Sequence, residues 1–122
     1  MREWWNWSPP ESEQIQSFGV VGVGRFGSAV CQQLLQNGAE VLAVDRSARA
    51  IEELRQQLPS VEARVVDCTD EEALREAGIL DMNTVVVAIS EPIEASITAT
   101  LIAKDSEGSR VRQVIARATS DL

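Results

Sequence analysis

The sequence contains no histidine and no tyrosine among its 122 residues. The missing histidine excludes histidine acid–base catalysis, histidine metal ligation and the Ser-His-Asp triad. Dehydrogenase chemistry that relies on a tyrosine or histidine proton donor is excluded for the same reason. The two cysteines, Cys31 and Cys68, are far apart and form no C-x-x-C arrangement, so the sequence indicates neither a zinc site nor a disulfide scaffold.

Positive charge is also scarce, because 11 Lys and Arg residues stand against 19 Asp and Glu residues, a net charge of −8. This balance argues against general affinity for nucleic acid or anionic membranes, which requires a basic surface. A phosphate can still be held locally by backbone N–H groups. The longest apolar run, Val85–Ile89, is far too short to span a bilayer, and we expect no signal peptide.

The length and the apolar content of 44% are typical of one globular domain. Residues 1–16 are predicted to form a separate extension, which carries all three tryptophans (Trp4, Trp5 and Trp7) followed by Pro9 and Pro10. The tryptophans either anchor the extension to a membrane interface or a partner's apolar groove, or fold back onto their own domain. Residues 17–122 are predicted to be the folded domain.

Short apolar runs and amphipathic segments alternate through this domain. Buried strands are predicted at residues 18–22, 40–45, 61–66, 84–89 and 111–116. Helices are predicted at residues 26–36, after the Ser47 cap, from the Asp70 cap to residue 77, and at residues 93–104. This α/β alternation predicts a doubly wound, Rossmann-type parallel sheet with strand order 3-2-1-4-5. We expect the sheet to be truncated after strand 5, which leaves that edge open.

A G-x-G-x-x-G motif follows the first predicted strand and opens the first helix, and it consists of Gly22, Val23, Gly24, Arg25, Phe26 and Gly27. In this context the first glycine permits a tight turn and the second lets the backbone approach a pyrophosphate. The third glycine allows close packing of helix on strand, and the helix N-terminus favours the phosphate charge. The alternative is a tight turn that holds no ligand.

Asp45 ends the second predicted strand, 18 residues after Gly27. A carboxylate at this position accepts hydrogen bonds from both ribose hydroxyls and repels a 2′-phosphate. The alternative is a carboxylate that caps a helix or is solvated. Nucleotide binding is favoured, because strand, glycines, helix and acid occur together in the required order.

Two arginines are candidate ligands for the phosphate and ribose groups. Arg25 lies inside the glycine loop, where a guanidinium can pair bidentately with a terminal phosphate. Arg46 adjoins Asp45 and would place a second cation near the ribose. The alternative for both is a solvated surface side chain.

The carboxyl ends of two further predicted strands add candidates. Asp67 and Cys68 follow strand 3, where an adenine would lie, although Asp67 or Thr69 could instead shape the turn before Asp70. Strand 4 ends opposite the glycine loop, where small side chains leave room for a ligand or allow close packing; the residues there are Ala88, Ile89, Ser90 and Glu91.

The sequence resembles the N-terminal nucleotide-binding RCK (KTN) domain of the regulatory subunits of Trk/Ktr-type potassium uptake systems. The resemblance covers about residues 17–120 and is carried by residues 18–27, 41–45, 66–69, 85–89 and 93–96. The resemblance implies binding of NAD(H) or ATP/ADP across strands 1 to 3. It also implies a dimer or ring on an integral-membrane potassium transporter subunit, in the cytoplasm at the inner face of the plasma membrane.

Site roles are carried over from the resemblance residue by residue. It implies phosphate contacts from Gly22, Gly24, Arg25 and Phe26. It implies that Asp45 binds the ribose and that Asp67 and Cys68 meet the adenosine end, while Ile89, Ser90 and Glu91 line the far side. Members of this family continue into a further helix and strand, and often into a second ligand-binding domain.

These observations lead to the hypothesis of a regulatory sensor that is not an enzyme and acts by shifting populations of its assembly. One alternative is the cofactor domain of an NAD-dependent oxidoreductase, which would need a substrate domain and a proton donor. Another is an interaction module with an empty glycine loop. Asp45 suits the unmodified ribose of NAD(H) or ATP/ADP and argues only against NADP.

Overall fold

Five strands and four α-helices alternate in residues 16–116, the part of the chain that the computed structural model describes. The strands are β1 (Ser17–Val21), β2 (Glu40–Asp45), β3 (Glu62–Val65), β4 (Thr84–Val87) and β5 (Gln113–Ala116). The helices are α1 (Arg25–Gln36), α2 (Ala48–Gln57), α3 (Glu71–Ala77) and α4 (Ile93–Asp105), with a 3₁₀ helix at Ile79–Asp81. The predicted tryptophan extension lies outside the described residues.

The strands form one parallel sheet in the order β3-β2-β1-β4-β5, which confirms the predicted topology. Val20 of β1 pairs with Ala43 of β2 on one side and with Val86 of β4 on the other. After β1, the chain therefore forms β2 and β3 on one side of it and then crosses back to form β4 and β5 on the other side. The carboxyl ends of β1 and β4 lie side by side at this switch point, where open α/β sheets bind ligands.

Two apolar clusters cover the two faces of the sheet. Helices α1 and α2 pack on one face, around Val20, Cys31, Ile51 and Leu54, each at most 1% exposed. Helices α3 and α4 pack on the other face, with Val21, Leu74, Ile79, Val87 and Ala99 in its core. The side chains of successive strand residues point to opposite faces of the sheet, so neighbours such as Val20 and Val21 belong to different clusters. Cys31 is fully buried in the first of these clusters.

The predicted caps Ser47 and Asp70 act as expected, and a glycine ends the third helix. The Ser47 hydroxyl oxygen accepts the N–H of Ala50 at 3.1 Å, and the Asp70 carboxylate accepts the N–H of Glu72 at 3.0 Å. Gly78 ends α3 with φ at +100°, a left-handed conformation that favours glycine. These capping bonds satisfy donors that have no partner inside the helix.

Several strands are shorter than predicted at the carboxyl edge of the sheet. The prediction for β4 extended to Ile89, but the strand ends at Val87. The N–H of Ala88 still donates to the carbonyl of Val21 at 2.7 Å, and the chain then leaves the ladder. Ala88 and Ile89, which were predicted to end β4, therefore belong to the loop above the sheet.

The chain before β5 pairs outside the ladder, so that strand starts at Gln113 rather than at Val111 as predicted. The N–H of Arg110 donates to the carbonyl of Leu80, and the N–H of Arg112 donates to that of Asn83, both at 2.8 Å. Within residues 16–116, β5 is the edge strand beside β4, in agreement with the predicted strand order.

Helix α4 exposes an apolar stripe, in which Ile93, Ile97 and Leu101 are each 53% exposed. Their spacing of four residues places them on one face of the helix. Among residues 16–116, no helix is long and apolar enough to cross a membrane.

A reciprocal pair of polar side chains joins the starts of β1 and β4. The Oδ1 of Asn83 accepts the N–H of Ser17 at 3.1 Å and its hydroxyl at 3.0 Å. In return, the N–H of Asn83 donates to the Ser17 Oγ at 2.9 Å. The next residues along, Phe18 and Thr84, are the first paired residues of the two strands. This clamp therefore helps to set the register at the switch point.

We expect Asn83→Ala to lower the free energy of unfolding by about 1–3 kcal/mol, because it leaves two partly buried Ser17 donors without their acceptor. Urea denaturation measures this loss. Asn83→Asp keeps an acceptor oxygen and should retain most of the stability. Equal stability of Asn83→Ala and the unsubstituted protein would show that the clamp does not stabilise the register.

Candidate functional site

A cleft of about 200 Å³ opens at the carboxyl edge of the sheet, between the glycine loop and the segments that follow β2, β3 and β4. It brings together most of the residues selected from the sequence: Gly22, Gly24, Asp45, Arg46, Asp67, Cys68, Ala88, Ile89, Ser90 and Glu91. Segments far apart in the chain thus meet here because parallel strands end at the same edge.

The three glycines of the loop face three different environments. Gly22 has φ at +98°, and a Cβ there would lie 3.0 Å from the carbonyl carbon of Ala88. A Cβ on Gly27 would overlap the carbonyl oxygen of Gly22, so α1 approaches the loop too closely for any side chain. A Cβ on Gly24 would meet nothing within 4 Å. The loop thus requires glycine at positions 22 and 27 to fold, while position 24 faces open space beside the cleft.

The Asp45 carboxylate holds the loop and the start of α2 together. Its Oδ2 accepts the N–H of Val23 at 2.8 Å, and its Oδ1 accepts the N–H of Ser47 at 2.8 Å. A carboxylate has about four lone-pair positions, so each oxygen retains capacity for another donor. Asp45 therefore has a local structural role and can also accept hydrogen bonds from a ligand in the cleft.

The segment after β3 is organised by Asp67. Its Oδ1 accepts the N–H of Thr69 at 3.0 Å and the Thr69 hydroxyl at 2.7 Å. These two hydrogen bonds hold the pKa of the exposed Asp67 carboxyl below its usual value. Asp67 therefore shapes the turn, as the alternative interpretation of the sequence held. Its side chain also stays charged beside the cleft.

Cys68 lies beneath the same turn and is 6% exposed. Burial, together with the nearby charges of Asp45 and Asp67, raises the pKa of its thiol to about 12. Burial likewise raises the pKa of Cys31 to about 11. Both thiols therefore remain protonated near neutral pH, which disfavours thiolate chemistry.

The wall opposite the glycine loop is formed by the chain after β4. Ala88 is buried against Gly22, whereas Ser90 and Glu91 are exposed at the mouth. Pro92 and Ala95 complete this wall at the start of α4. A ligand that lies across the loop would therefore meet small or polar groups on this side.

The remaining selected residues lie outside the cleft lining. Gly27 is buried under the loop, and Phe26 is 37% exposed. Arg25 and Val23 line a separate groove on the far side of the loop. Within residues 16–116, the Arg25 side chain makes no hydrogen bond or ion pair, so its guanidinium is free to meet a ligand.

This separate groove has a volume of about 680 Å³ and runs between α1 and α2. It is larger than the cleft, but Gly24 is the only selected residue that lines both. Ligands of open parallel sheets bind outside the carboxyl ends of the strands. We therefore assign the candidate site to the cleft, and the groove remains a neighbouring surface.

Four residues of this region were not selected from the sequence as site residues. Thr69, Pro92 and Ala95 line the cleft, and the Ser28 hydroxyl donates to the carbonyl of Val23 at 2.8 Å. Thr69 follows Asp67 by two residues, a spacing at which aspartate binds the backbone in turns, so that signal was available. Nothing in the sequence indicates where the Ser28 hydroxyl points. In the described part of the chain, no group of three acidic, histidine or cysteine side chains could hold a metal ion.

Among known protein families, the model described as the TrkA-N domain matches residues 18–122. The chain is 42% identical over 91 residues to the Ktr system potassium uptake protein A of Vibrio alginolyticus. It is 39% identical over 90 residues to the Ktr system potassium uptake protein C of Bacillus subtilis. These alignments cover 75% and 74% of this chain, but only 40% of each relative.

Two solved structures are similar to the fold. The TrkA-N domain of the inner membrane protein ybaL from Escherichia coli has a TM-score of 0.69 at 24% identity, covering 87% of this chain and 75% of that one. The NAD(P)-binding domain of an exopolyphosphatase-related protein from Archaeoglobus fulgidus has a TM-score of 0.70 at 26% identity, covering 85% of this chain and 74% of that one.

We expect Gly27→Ala and Gly24→Ala to differ sharply in stability. The added methyl group at position 27 must displace the Gly22 carbonyl, which should cost about 1–3 kcal/mol or more. At position 24 the methyl group enters open space and φ is −68°, so the change should stay within about 0.5 kcal/mol. Urea denaturation of both variants tests this; equal losses would contradict the loop geometry.

Proposed function

The chain belongs to the TrkA-N domain family, and from this premise we propose that it is a regulatory domain that binds an adenine nucleotide in the cleft. The ligand is NAD(H) or ATP/ADP. The observation that carries the proposal is the arrangement at the switch point, where an open Gly24 backbone adjoins the Asp45 carboxylate. We propose residues 17–122 as this domain and residues 1–16 as an extension to it.

The proposed binding mode follows the cleft from one wall to the other. The phosphates lie over Gly24 at the start of α1, where the backbone donors and the helix dipole favour negative charge. The ribose hydroxyls donate to Asp45, and the adenine lies beside Asp67 and Cys68. The chain after β4, from Ala88 to Glu91, forms the opposite wall. The cleft itself is smaller than most ligand pockets, so we expect part of the ligand to extend beyond its mouth.

Charge at the ribose end selects among nucleotides. A 2′-phosphate would approach the Asp45 carboxylate and be repelled, so NAD(H) is preferred over NADP(H). Arg25 carries a positive charge on the groove side of the loop, where a terminal phosphate that extends past Gly24 would reach its guanidinium. The absence of histidine and tyrosine supports binding rather than catalysis as the role of this domain.

The relatives named as Ktr potassium uptake proteins support an integral-membrane potassium transporter subunit as partner. The domain would then lie in the cytoplasm, at the inner face of the plasma membrane. We propose that it works as a dimer or ring, and the apolar stripe of α4 supports an association that covers it. A nucleotide would act by favouring one arrangement of the assembly, in proportion to its differential affinity for the two states.

The Asp45→Ala variant tests the ribose contact. We expect calorimetric titration to show saturable binding of ATP, ADP, NADH or NAD to the unsubstituted protein, and a loss of about tenfold or more in the variant. The loss is expected because hydrogen bonds to a charged group contribute about 1.5–3 kcal/mol, and 1.4 kcal/mol is tenfold.

A ligand-side control separates the ribose contact from the support that Asp45 gives the loop. ADP should bind the unsubstituted protein more tightly than 2′,3′-dideoxy-ADP, and Asp45→Ala should bind the two about equally. If the unsubstituted protein, shown to be folded, binds none of the four nucleotides, the proposed function is wrong. If the unsubstituted protein binds ADP and its dideoxy analogue with equal affinity, only the proposed contact between Asp45 and the ribose is wrong.

The Arg25→Ala variant tests recognition of the terminal phosphate. We expect the ratio of ATP affinity to ADP affinity to fall by roughly three- to tenfold, because an exposed charged contact is partly screened. Arg46→Ala is the matched control, since Arg46 lies at the ribose end and should change both affinities by the same factor. An unchanged ATP/ADP ratio in Arg25→Ala would contradict this role.

A further inference from the structure

The Ser28 hydroxyl reaches back from the first turn of α1 and donates to the carbonyl of Val23 at 2.8 Å. We infer that Ser28 is a positioning residue, which orients the Val23–Gly24 peptide so that the Gly24 N–H points at the phosphate of a bound nucleotide. This inference rests on the proposed function, because it concerns how the same cleft holds its phosphate.

Both peptide groups that flank Val23 are held from outside the loop. The N–H of Val23 donates to Asp45 Oδ2 at 2.8 Å, which holds the Gly22–Val23 peptide from the end of β2. Ser28 holds the Val23–Gly24 peptide from α1. Val23 is itself 4% exposed, so its side chain is anchored in the core. The two side chains therefore have separate tasks, one on each peptide.

The carbonyl that Ser28 binds fixes the direction of the neighbouring donor. The Val23–Gly24 peptide is trans, and in a planar trans peptide the C=O and N–H point in opposite directions. The Gly24 N–H therefore points away from Ser28. Within residues 16–116 this N–H has no hydrogen-bond partner, and Gly24 lines the cleft with open space beside its α-carbon.

Gly24 is the residue of the loop that most needs such support. It has no side chain, and an added Cβ would meet nothing within 4 Å, so no side-chain packing at this position helps to hold the peptide on its N-terminal side. Without the hydroxyl, the peptide on its N-terminal side can rotate and turn the N–H away from the cleft. A donor that is oriented before the ligand arrives avoids that ordering cost on binding.

The inference predicts a loss confined to ligands that carry phosphate. Removal of one neutral hydrogen bond changes affinity by roughly three- to tenfold, so we expect Ser28→Ala to weaken ADP by that factor. Adenosine has no phosphate, and its affinity should change less than about twofold. If Ser28 only stabilised the fold, Ser28→Ala would lower the affinity for ADP and for adenosine by the same factor.

The experiment is titration of the ¹⁵N-labelled protein with ADP and with adenosine, followed by NMR, which measures dissociation constants into the millimolar range. The variants are Ser28→Ala, Ser28→Thr and Ser28→Val. Threonine keeps the hydroxyl and valine has the same shape without it, so this pair isolates the hydrogen bond. Ser28 lines the groove between α1 and α2, which leaves room for the added methyl group.

We expect Ser28→Ala and Ser28→Val to bind ADP more weakly than the unsubstituted protein and to bind adenosine equally well. Ser28→Thr should bind ADP as tightly as the unsubstituted protein. The inference is overturned if alanine and valine leave ADP binding unchanged, or if they weaken ADP and adenosine by the same factor. It is also overturned if threonine and valine behave alike. A failure of the unsubstituted protein to bind ADP would instead overturn the proposed nucleotide site, and the inference with it.

Discussion

The carboxylate of Asp45 joins the parts of the site that come from different segments of the chain. It stands at the end of β2 and accepts one N–H from the glycine loop and one from the start of α2, each at 2.8 Å. The loop can approach this carboxylate because Gly22 turns at positive φ and Gly27 lets α1 pack onto the loop. The cleft depends on these contacts, and its ligand would meet a carboxylate that is already held in place.

The fold could be predicted from the sequence because its signals are local and agree with one another. Apolar runs mark the strands, Ser47 and Asp70 mark helix starts, and right-handed crossovers leave few topologies. The strand ends were less predictable, since Ala88 and Ile89 continue an apolar run whereas the ladder stops at Val87. The Ser17–Asn83 clamp depends on residues 66 positions apart, and no local pattern encodes such a contact.

The candidate site was predictable where a backbone requirement selects a residue type. Gly22, Gly27 and Asp45 occupy positions whose geometry favours glycine or a carboxylate, so the motif and its spacing identified them. Ser28 acts through the direction of its hydroxyl group, which the sequence does not reveal. The separation of Arg25 from the cleft lining also had no signal, because it depends on the side of the loop that the side chain takes.

A crystal structure of the protein with bound ADP or NAD would show whether the nucleotide occupies the cleft. We expect phosphate oxygens within hydrogen-bond distance of the Gly24 N–H and ribose hydroxyls on the Asp45 carboxylate. The base should lie beside Asp67. A nucleotide bound instead in the groove between α1 and α2, or with its ribose away from Asp45, would contradict the proposed binding mode.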